Sequence, residues 1–474
     1  MQKTDKSLTI RMMDIHAFDD TIAAISTPLG RSGIGIVRLS GPEALSVADR
    51  VFKPANPDRS PLTQKTFTTC YGHVTDGDTV IDEAILTVMR APGTYTTQDV
   101  VEINCHGGIV PLRRTLELVL EHDARLADPG EFTKRAYYFG RIDLAQAEAV
   151  ADIITARTEE SQQAAMQQLS GRLSDEINRF REAILDLLSQ IEASIDFIDQ
   201  DIDIITSDEI ARATVKLIDD VNELLDTARR GQALREGLKV AIVGRPNVGK
   251  SSLLNALVND ARAIVTEVPG TTRDVIEDTL DIQGIPVTLA DTAGLRDTED
   301  LIEAEGVERA ESVMAQADLV LLVIDTAQEL TDYDRRLLRQ LAPDRGIVVM
   351  NKEDLPTVVQ NGEVGQCTEA PTIWISAKEG THLQELEEAV ASTVWEGKTG
   401  GSGETLVTNV RHKNALQKAA EALKRADRAF AEGYSEEFIA SDLREALHAL
   451  DEIVGKFLPE ELLDSIFSRF CIGK

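Results

Sequence analysis

The chain has 474 residues, a formal net charge of −32 and 42 % apolar residues. That length asks for about three domains. The acidic excess, most of it beyond residue 150, argues against a protein that grips nucleic acid alone, because phosphate binding needs basic surface. No apolar run reaches the ~18 residues of a membrane helix, and Met1 to Asp20 lacks the apolar stretch of a secretory leader. Cys70, Cys105, Cys367 and Cys471 form no C-x-x-C pair, so disulfides and a cysteine zinc site are not expected and a reducing cytoplasm is.

In chain order, short apolar runs come first. Ile22-Ala-Ala-Ile-Ser26, Gly33-Ile-Gly-Ile-Val37, Glu83-Ala-Ile-Leu-Thr-Val-Met89 and Asp99-Val-Val-Glu-Ile103 read as strands. Ala44 to Phe52 and Val110 to Glu121 read as helices, giving an α+β domain over 1–136. From Leu144 to Leu234 glycine and proline nearly vanish, and apolar residues recur at helical spacing, as in Ile184, Leu187, Leu188 and Ile191. A second helical block spans Asn414 to Phe470, after the linker Gly397-Lys-Thr-Gly-Gly-Ser-Gly403. Between them strand and helix alternate. The expectation is one helical bundle, 137–237 and 399–474, with an α/β domain of 238–398 inserted into it, since compact domains often have neighbouring termini.

The inserted domain carries the chemistry. Lys239-Val-Ala-Ile-Val-Gly244 is a buried strand running into Gly244-Arg-Pro-Asn-Val-Gly-Lys-Ser251, which fits G-x-x-x-x-G-K-S/T and continues as a helix from Ser252. Its glycines let amides close on phosphate oxygens, and the helix N-terminus favours negative charge. Lys250 offers a charge to the β/γ-phosphates and Ser251 a hydroxyl to magnesium. A second strand ends in Asp291-Thr-Ala-Gly294, where the acid can hold magnesium through water and the Gly294 amide can meet the γ-phosphate. A third ends in Asn351-Lys-Glu-Asp354, an N-K-x-D whose carboxylate accepts from the two guanine donors that adenine lacks. Trp374-Ile-Ser376-Ala-Lys378 supplies the last base-contacting loop. The resulting GTP-binding set is Asn247, Val248, Gly249, Lys250, Ser251, Ser252, Asp291, Thr292, Ala293, Gly294, Asn351, Lys352, Asp354, Ser376, Ala377 and Lys378. The class is a Ras-like P-loop GTPase.

The segment Gly270-Thr-Thr-Arg-Asp274 resembles the G-T-T-R-D loop of TrmE-Era-like GTPases. That resemblance adds Thr266, Thr271 and Thr272 to the GTP-binding set and implies that Thr272 joins Ser251 on magnesium. Leu295 stands where many signalling GTPases place a water-orienting glutamine. Relatives with an asparagine at the place of Asn247 hold a potassium ion beside the phosphates. Its ligands here would be Asn247, Thr271 and the carbonyls of Thr266 and Val268; a simple loop cap is the other reading of Asn247.

Across its full length the chain resembles the MnmE (TrmE) family of tRNA wobble-uridine modification GTPases. The resemblance rests on Thr27-Pro-Leu-Gly-Arg-Ser-Gly-Ile-Gly-Ile-Val-Arg38, Asp99-Val-Val-Glu-Ile-Asn-Cys-His-Gly-Gly108, Pro129-Gly-Glu-Phe-Thr-Lys-Arg-Ala136 with Asp143-Leu-Ala-Gln-Ala-Glu-Ala149, and Phe470-Cys-Ile-Gly-Lys474. It implies a multidomain fold whose N-terminal domain binds folate and dimerises. A tetrahydrofolate carrying a 5-formyl or 5,10-methylene carbon would map to Arg38, Glu102, Arg141 and Lys474, with Arg141 where several relatives place lysine; surface salt bridges are the other reading. It further implies that Glu303 orients the hydrolytic water, with Glu299 and Glu305 as neighbours open to the same role. Cys471 is functionally important on this reading and an ordinary buried thiol on the other.

The implied activity is a potassium-stimulated GTPase working as a homodimer with an FAD/NADH-dependent MnmG (GidA) flavoprotein, the tRNA being held mainly through that partner, with no membrane. The pair would place an aminomethyl or carboxymethylaminomethyl group on carbon 5 of the wobble uridine. A regulatory switch of the ribosome-maturation type is the alternative, and the absence of a KH-type module counts against it. Three acids, Asp199, Asp201 and Asp203, start like a calcium loop, but Ile204 and Ile210 occupy the glycine and glutamate places. Cys471 fails a prenylation box. Cys105 and His106 lack a second ligand pair and read as packing.

Overall fold

The computed structural model describes residues 18–196, 207–260, 262–263, 279–290, 311–359, 361–395 and 404–474. These residues divide into two compact units. One runs to Ala151 and includes Leu450–Lys474; the other lies between Asp152 and Ala449.

The first unit is built on a seven-stranded sheet from β1 (Thr21–Ile25), β2 (Ser32–Ser40), β3 (Phe52–Pro54), β4 (Thr68–Asp76), β5 (Thr79–Met89), β6 (Val100–Gly107) and β7 (Ala124–Leu126), in the order β3-β4-β5-β6-β2-β1-β7. All neighbours are antiparallel except β1 and β7. Alternation in antiparallel strands sends odd and even residues to opposite faces. Val37, Leu39, Leu86, Val88 and Ile103 pack under α1 (Ala44–Val51) and α2 (Ile109–Glu121). Arg38 and Glu102, cross-strand neighbours, fall on the other face. There α3 (Glu131–Tyr138) sets Phe132 against Ile22, Ala24 and Tyr95.

The predicted strands and helices of this unit all recur. The sequence reading missed the short strands β3 and β7, placing Phe52 in a helix, and also missed β4 and α3. β4 is threaded with threonine, histidine and Gly72, where an added Cβ would lie 2.3 Å from the Lys53 carbonyl oxygen, so close strand packing replaces a side chain. α3 buries Glu131, Thr133 and Arg135 as fully as its apolar residues and so shows no amphipathic stripe. Arg135 Nη2 binds Asp20 at 2.6 Å and Glu131 at 2.8 Å, and Arg125 Nη2 binds Glu131 at 2.6 Å. Burial pushes the Glu131 carboxyl up, but hydrogen bonds from Arg125, the Asp128 amide and Arg135 outweigh it and leave the group below its ordinary range.

Residues 450–474 complete this unit. The Tyr137 hydroxyl donates to the Gly455 carbonyl at 2.5 Å, Lys134 pairs with Asp464 at 2.6 Å, and the Phe467 ring lies 6.2 Å from that of Tyr137.

The helices then run α4 (Leu144–Thr155), α5 (Glu159–Leu169), α6 (Arg172–Asp196), α7 (Ser207–Asp226) and α8 (Ala228–Glu236). In the second unit the helical segments that flank the inserted domain meet, whereas residues 450–474, expected in the same bundle, belong to the first unit. Val407 N donates to Thr227 Oγ1 at 3.0 Å, Thr408 Oγ1 to Gln168 Oε1 at 2.9 Å, and Arg230 pairs with Glu404 at 2.6 Å. Gly231 permits this approach, since a Cβ there would sit 2.3 Å from the Val407 carbonyl oxygen. Later helices among the described residues include α9 (Lys250–Asp260), α10 (Asp332–Gln340), α11 (Asn361–Gly365), α12 (Leu383–Trp395), α13 (Val410–Ala431), α14 (Glu436–Val454) and α15 (Glu460–Phe467).

The inserted domain holds β8 (Leu238–Val243), β9 (Arg262–Ala263), β10 (Thr279–Ile282), β11 (Ile285–Ala290), β12 (Leu319–Asp325), β13 (Gly346–Asn351) and β14 (Thr372–Trp374), ordered β14-β13-β12-β8-β11-β10-β9. The run from β14 to β11 is parallel. β12 and β13 are buried at every residue, as strands covered on both faces must be. A parallel sheet brings all its carboxyl ends to one edge, where ligands bind in open α/β folds.

Candidate functional site

At that edge the loop between β8 and α9 is shaped by glycine. Gly244 has φ +148° and a Cβ there would lie 2.4 Å from the Val323 carbonyl oxygen; Gly249 has φ +100° and its Cβ would lie 2.2 Å from Asn351 Nδ2. Only glycine fits either position. The loop amides stay available to a phosphate at the N-terminus of α9. Lys250 Nζ donates to the carbonyls of Gly244 and Arg245 at 2.8 and 2.7 Å, and burial lowers its pKa. Leaving those carbonyls for phosphate oxygens exchanges dipoles for full charges.

Three ties hold the loop from below. Arg245 Nε lies 2.9 Å from Asp334, whose carboxylate also accepts from the Thr331 amide and hydroxyl in a capping box that starts α10. Asn351 Nδ2 donates to the Val248 carbonyl at 2.8 Å, while its Oδ1 accepts from the Ala377 amide at 3.0 Å. Lys352 Nζ donates to the Asn247 carbonyl at 2.9 Å. Asn351 is thus the joint between the phosphate loop and both base loops. Asp354 accepts from the Ser376 hydroxyl at 2.6 Å, which lowers its pKa, with Lys378 and Lys352 adding to the effect. An ionised carboxylate is the form that accepts guanine's two donors. Asn247, Val248, Gly249, Lys250, Ser251 and Ser252 therefore gather with Asn351, Lys352, Asp354, Ser376, Ala377 and Lys378. Thr266, Val268, Thr271, Thr272, Asp291, Thr292, Ala293, Gly294 and Glu303 lie outside the described residues, as do Asp199, Asp201 and Asp203.

A second constellation occupies the sheet face against which α3 packs in the first unit. Arg38 Nε donates to Glu102 Oε1 at 2.9 Å, Nη2 approaches the same oxygen at 2.8 Å, and Nη1 donates to the Gly473 carbonyl at 3.1 Å. Gly473 has φ +92°, and a Cβ there would lie 2.6 Å from the Ile25 carbonyl oxygen, so this place in the tail also requires glycine. Arg38 stacks 5.7 Å over Phe132 and Arg141 4.8 Å over Tyr95. Burial raises the Tyr95 phenol, against a hydrogen bond from Thr133 and the fields of Arg141 and then Arg38. Phe132, under Arg38, belongs to the apolar cluster against which Tyr95 packs, which connects the two stacked arginines. A cleft of about 570 Å³ opens beside it, with Met89, Pro92, Phe139 and Arg141 in its wall. Lys474 joins through the tail, its amide donating to the Cys471 carbonyl at 3.3 Å. Cys471 is exposed, which removes the reading of a buried thiol. Cys105 is buried, its thiol pushed up by burial to about 11, which fits packing.

The sequence missed Tyr95, Asp325 and Asp334. Asp325 had a signal: it ends an apolar strand run with an acid, as Asp291 follows another.

The parallel sheet, its glycine-shaped phosphate loop and the N-K-x-D loop bound to it define a P-loop GTPase. The family model "GTP-binding protein TrmE N-terminus" matches residues 21–141 and "MnmE helical domain" matches 144–471. A protein named tRNA modification GTPase MnmE from Alkaliphilus oremlandii is 46 % identical over 96 % of this chain and 99 % of its own length. The one from Alkaliphilus metalliredigens is 47 % identical over the same shares, and that of Lactococcus lactis is 46 % identical over 96 % and 98 %. The chain belongs to the MnmE family.

Proposed function

We propose that this chain hydrolyses GTP in a potassium-stimulated cycle coupled to tRNA modification. With an FAD/NADH-dependent partner of the MnmG kind, it would place an aminomethyl or carboxymethylaminomethyl group on carbon 5 of the wobble uridine. The carbon comes from a tetrahydrofolate bound near Arg38, Glu102, Arg141 and Lys474. The observation that supports this most is Arg38, which joins Glu102 to the Gly473 carbonyl and so ties the Cys471–Lys474 tail to the sheet.

The residues suit the groups they would hold. Glu102 accepts from the amino edge of a pterin, and Arg141 and Lys474 meet folate carboxylates. Lys250 would neutralise phosphate charge, and Ser251 with Thr272 would hold magnesium. Asn247, Thr271 and the carbonyls of Thr266 and Val268 would hold potassium, which would supply positive charge to the phosphates. Glu303 orients the attacking water. The chain acts in the cytoplasm as a homodimer, and its acidic surface leaves most of the tRNA to the partner.

The test is nucleoside analysis of tRNA from a deletion strain. Complementation with the intact chain restores the modified uridine, and the chain truncated after Phe470 fails while still binding GTP. Full modification by the truncated chain defeats the folate-tail reading. Unmodified levels unchanged by the deletion itself would favour an assembly switch. Turnover in potassium exceeds that in sodium at equal ionic strength, and Asn247→Ala removes the difference.

A further inference from the structure

Asp325 belongs to none of the nucleotide motifs. It closes the buried strand β12 and is only 1 % exposed. A buried carboxylate is costly unless paired and hydrogen-bonded. Its Oδ1 accepts from the Ala327 amide at 3.0 Å. Its Oδ2 accepts from Gln328 Nε2 at 3.0 Å and from the Lys352 ammonium at 2.7 Å. That ammonium is the one bonded to the Asn247 carbonyl at 2.9 Å.

The next residue, Thr326, holds the other end of Lys352. Its hydroxyl donates to the Lys352 carbonyl at 3.1 Å and its amide to the Asn351 carbonyl at 3.0 Å. Lys352 and Asn247 have φ of +69° and +63°. Non-glycine residues keep that conformation only where their surroundings hold it. Asn247 is the one non-glycine residue of the phosphate loop at positive φ. The peptide whose carbonyl Lys352 grips therefore also sets where the Asn247 side chain points.

We propose that Asp325 is a positioning residue of the GTPase cycle, fixing Lys352 on the Asn247 carbonyl and thereby aiming the Asn247 amide at the potassium ion. The proposal rests on the potassium reading above, and it adds a physical link between base recognition and the ion: one lysine serves the guanine loop and the ion's ligand together. Asp334, on the other flank, reaches the loop through Arg245 and has no such path to Asn247.

The test compares Asp325→Asn with Asp334→Asn in the full chain. Asp325→Asn keeps the size and the Ala327 bond but removes the charge that orients Lys352. It should raise the potassium concentration for half-maximal GTPase rate about tenfold, and speed dissociation of a fluorescent GDP analogue about tenfold, the loss of one charge-assisted hydrogen bond. In an Asn247→Ala background the same change should no longer alter the potassium response. An equal potassium shift in Asp334→Asn would mean general loosening and overturn the route through Lys352. So would additive effects in the double variant, or wild-type values in Asp325→Asn with its melting temperature unchanged. If the intact chain turns over equally in sodium and potassium, the potassium reading itself fails. GDP dissociation then decides alone, and an unchanged rate in Asp325→Asn overturns the clamp.

Discussion

Each unit is built on a seven-stranded sheet, and the two sheets expose function in opposite ways. In the inserted domain β12 and β13 are buried on both faces, so chemistry is confined to the strand ends, where short loops distant in sequence meet. In the first unit the antiparallel sheet buries one face under α1 and α2 and leaves side chains on the other for use, so Arg38 and Glu102 meet across strands in mid-sheet. A strand-end site is written in contiguous motifs. A mid-sheet site is assembled from positions 38, 95, 102, 141 and 473, which only the fold brings together.

The sharpest way to break this contrast is Gly249→Ala. Its Cβ would press on Asn351 Nδ2 in a left-handed backbone, disturbing phosphate and base loops at once. GTP affinity, measured by calorimetry, should fall by about a thousandfold or more, several lost charge-assisted bonds together. Near-normal affinity would mean the loops are not held as one body. The next effect falls on the first unit. Glu131→Gln leaves Arg125 and Arg135 without their shared carboxylate and should cost about 3 kcal/mol in denaturant unfolding. Glu131 and Asp20 both titrate below their ordinary values of 4.5 and 3.8, so their contribution is complete above about pH 4.5 and is lost as pH falls through the folded values. The variant should flatten that acid limb. An unchanged limb would show that α3 is held by its aromatic residues alone.

Smaller still, Asp354→Asn should weaken GTP roughly thirtyfold while admitting a xanthine nucleotide, since the amide offers a donor where guanine also offers donors. Equal GTP affinity in competition binding would remove Asp354 as base reader. Glu102→Ala should weaken 5-formyl-tetrahydrofolate about tenfold by calorimetry, leaving GTP binding alone. Unchanged folate affinity would return the Arg38–Glu102 pair to a structural salt bridge.

The same contrast explains what was legible in the sequence. Phosphate and base loops were read because strand, glycine spacing and acid fall in one window. Asp325 was not, because a single acid after an apolar run carries no spacing, and Asp334 was not, because its Thr331-x-x-Asp334 pattern marks only a helix start. Predicted strands held where apolar residues dominate. β4, half threonine and histidine with a glycine at its centre, and α3, with Glu131, Thr133 and Arg135 turned inward, escaped because their burial is satisfied by tertiary partners.

The closing of the first unit by residues 450–474 has a consequence for synthesis. Gly130 and Tyr137 emerge from the ribosome early, whereas Gly455, Phe467 and Phe470, which lie against them, emerge much later. At roughly 5–20 residues per second that delay is on the order of tens of seconds. During it the newborn sheet carries an uncovered aromatic flank, a natural place for a chaperone to sit until translation ends.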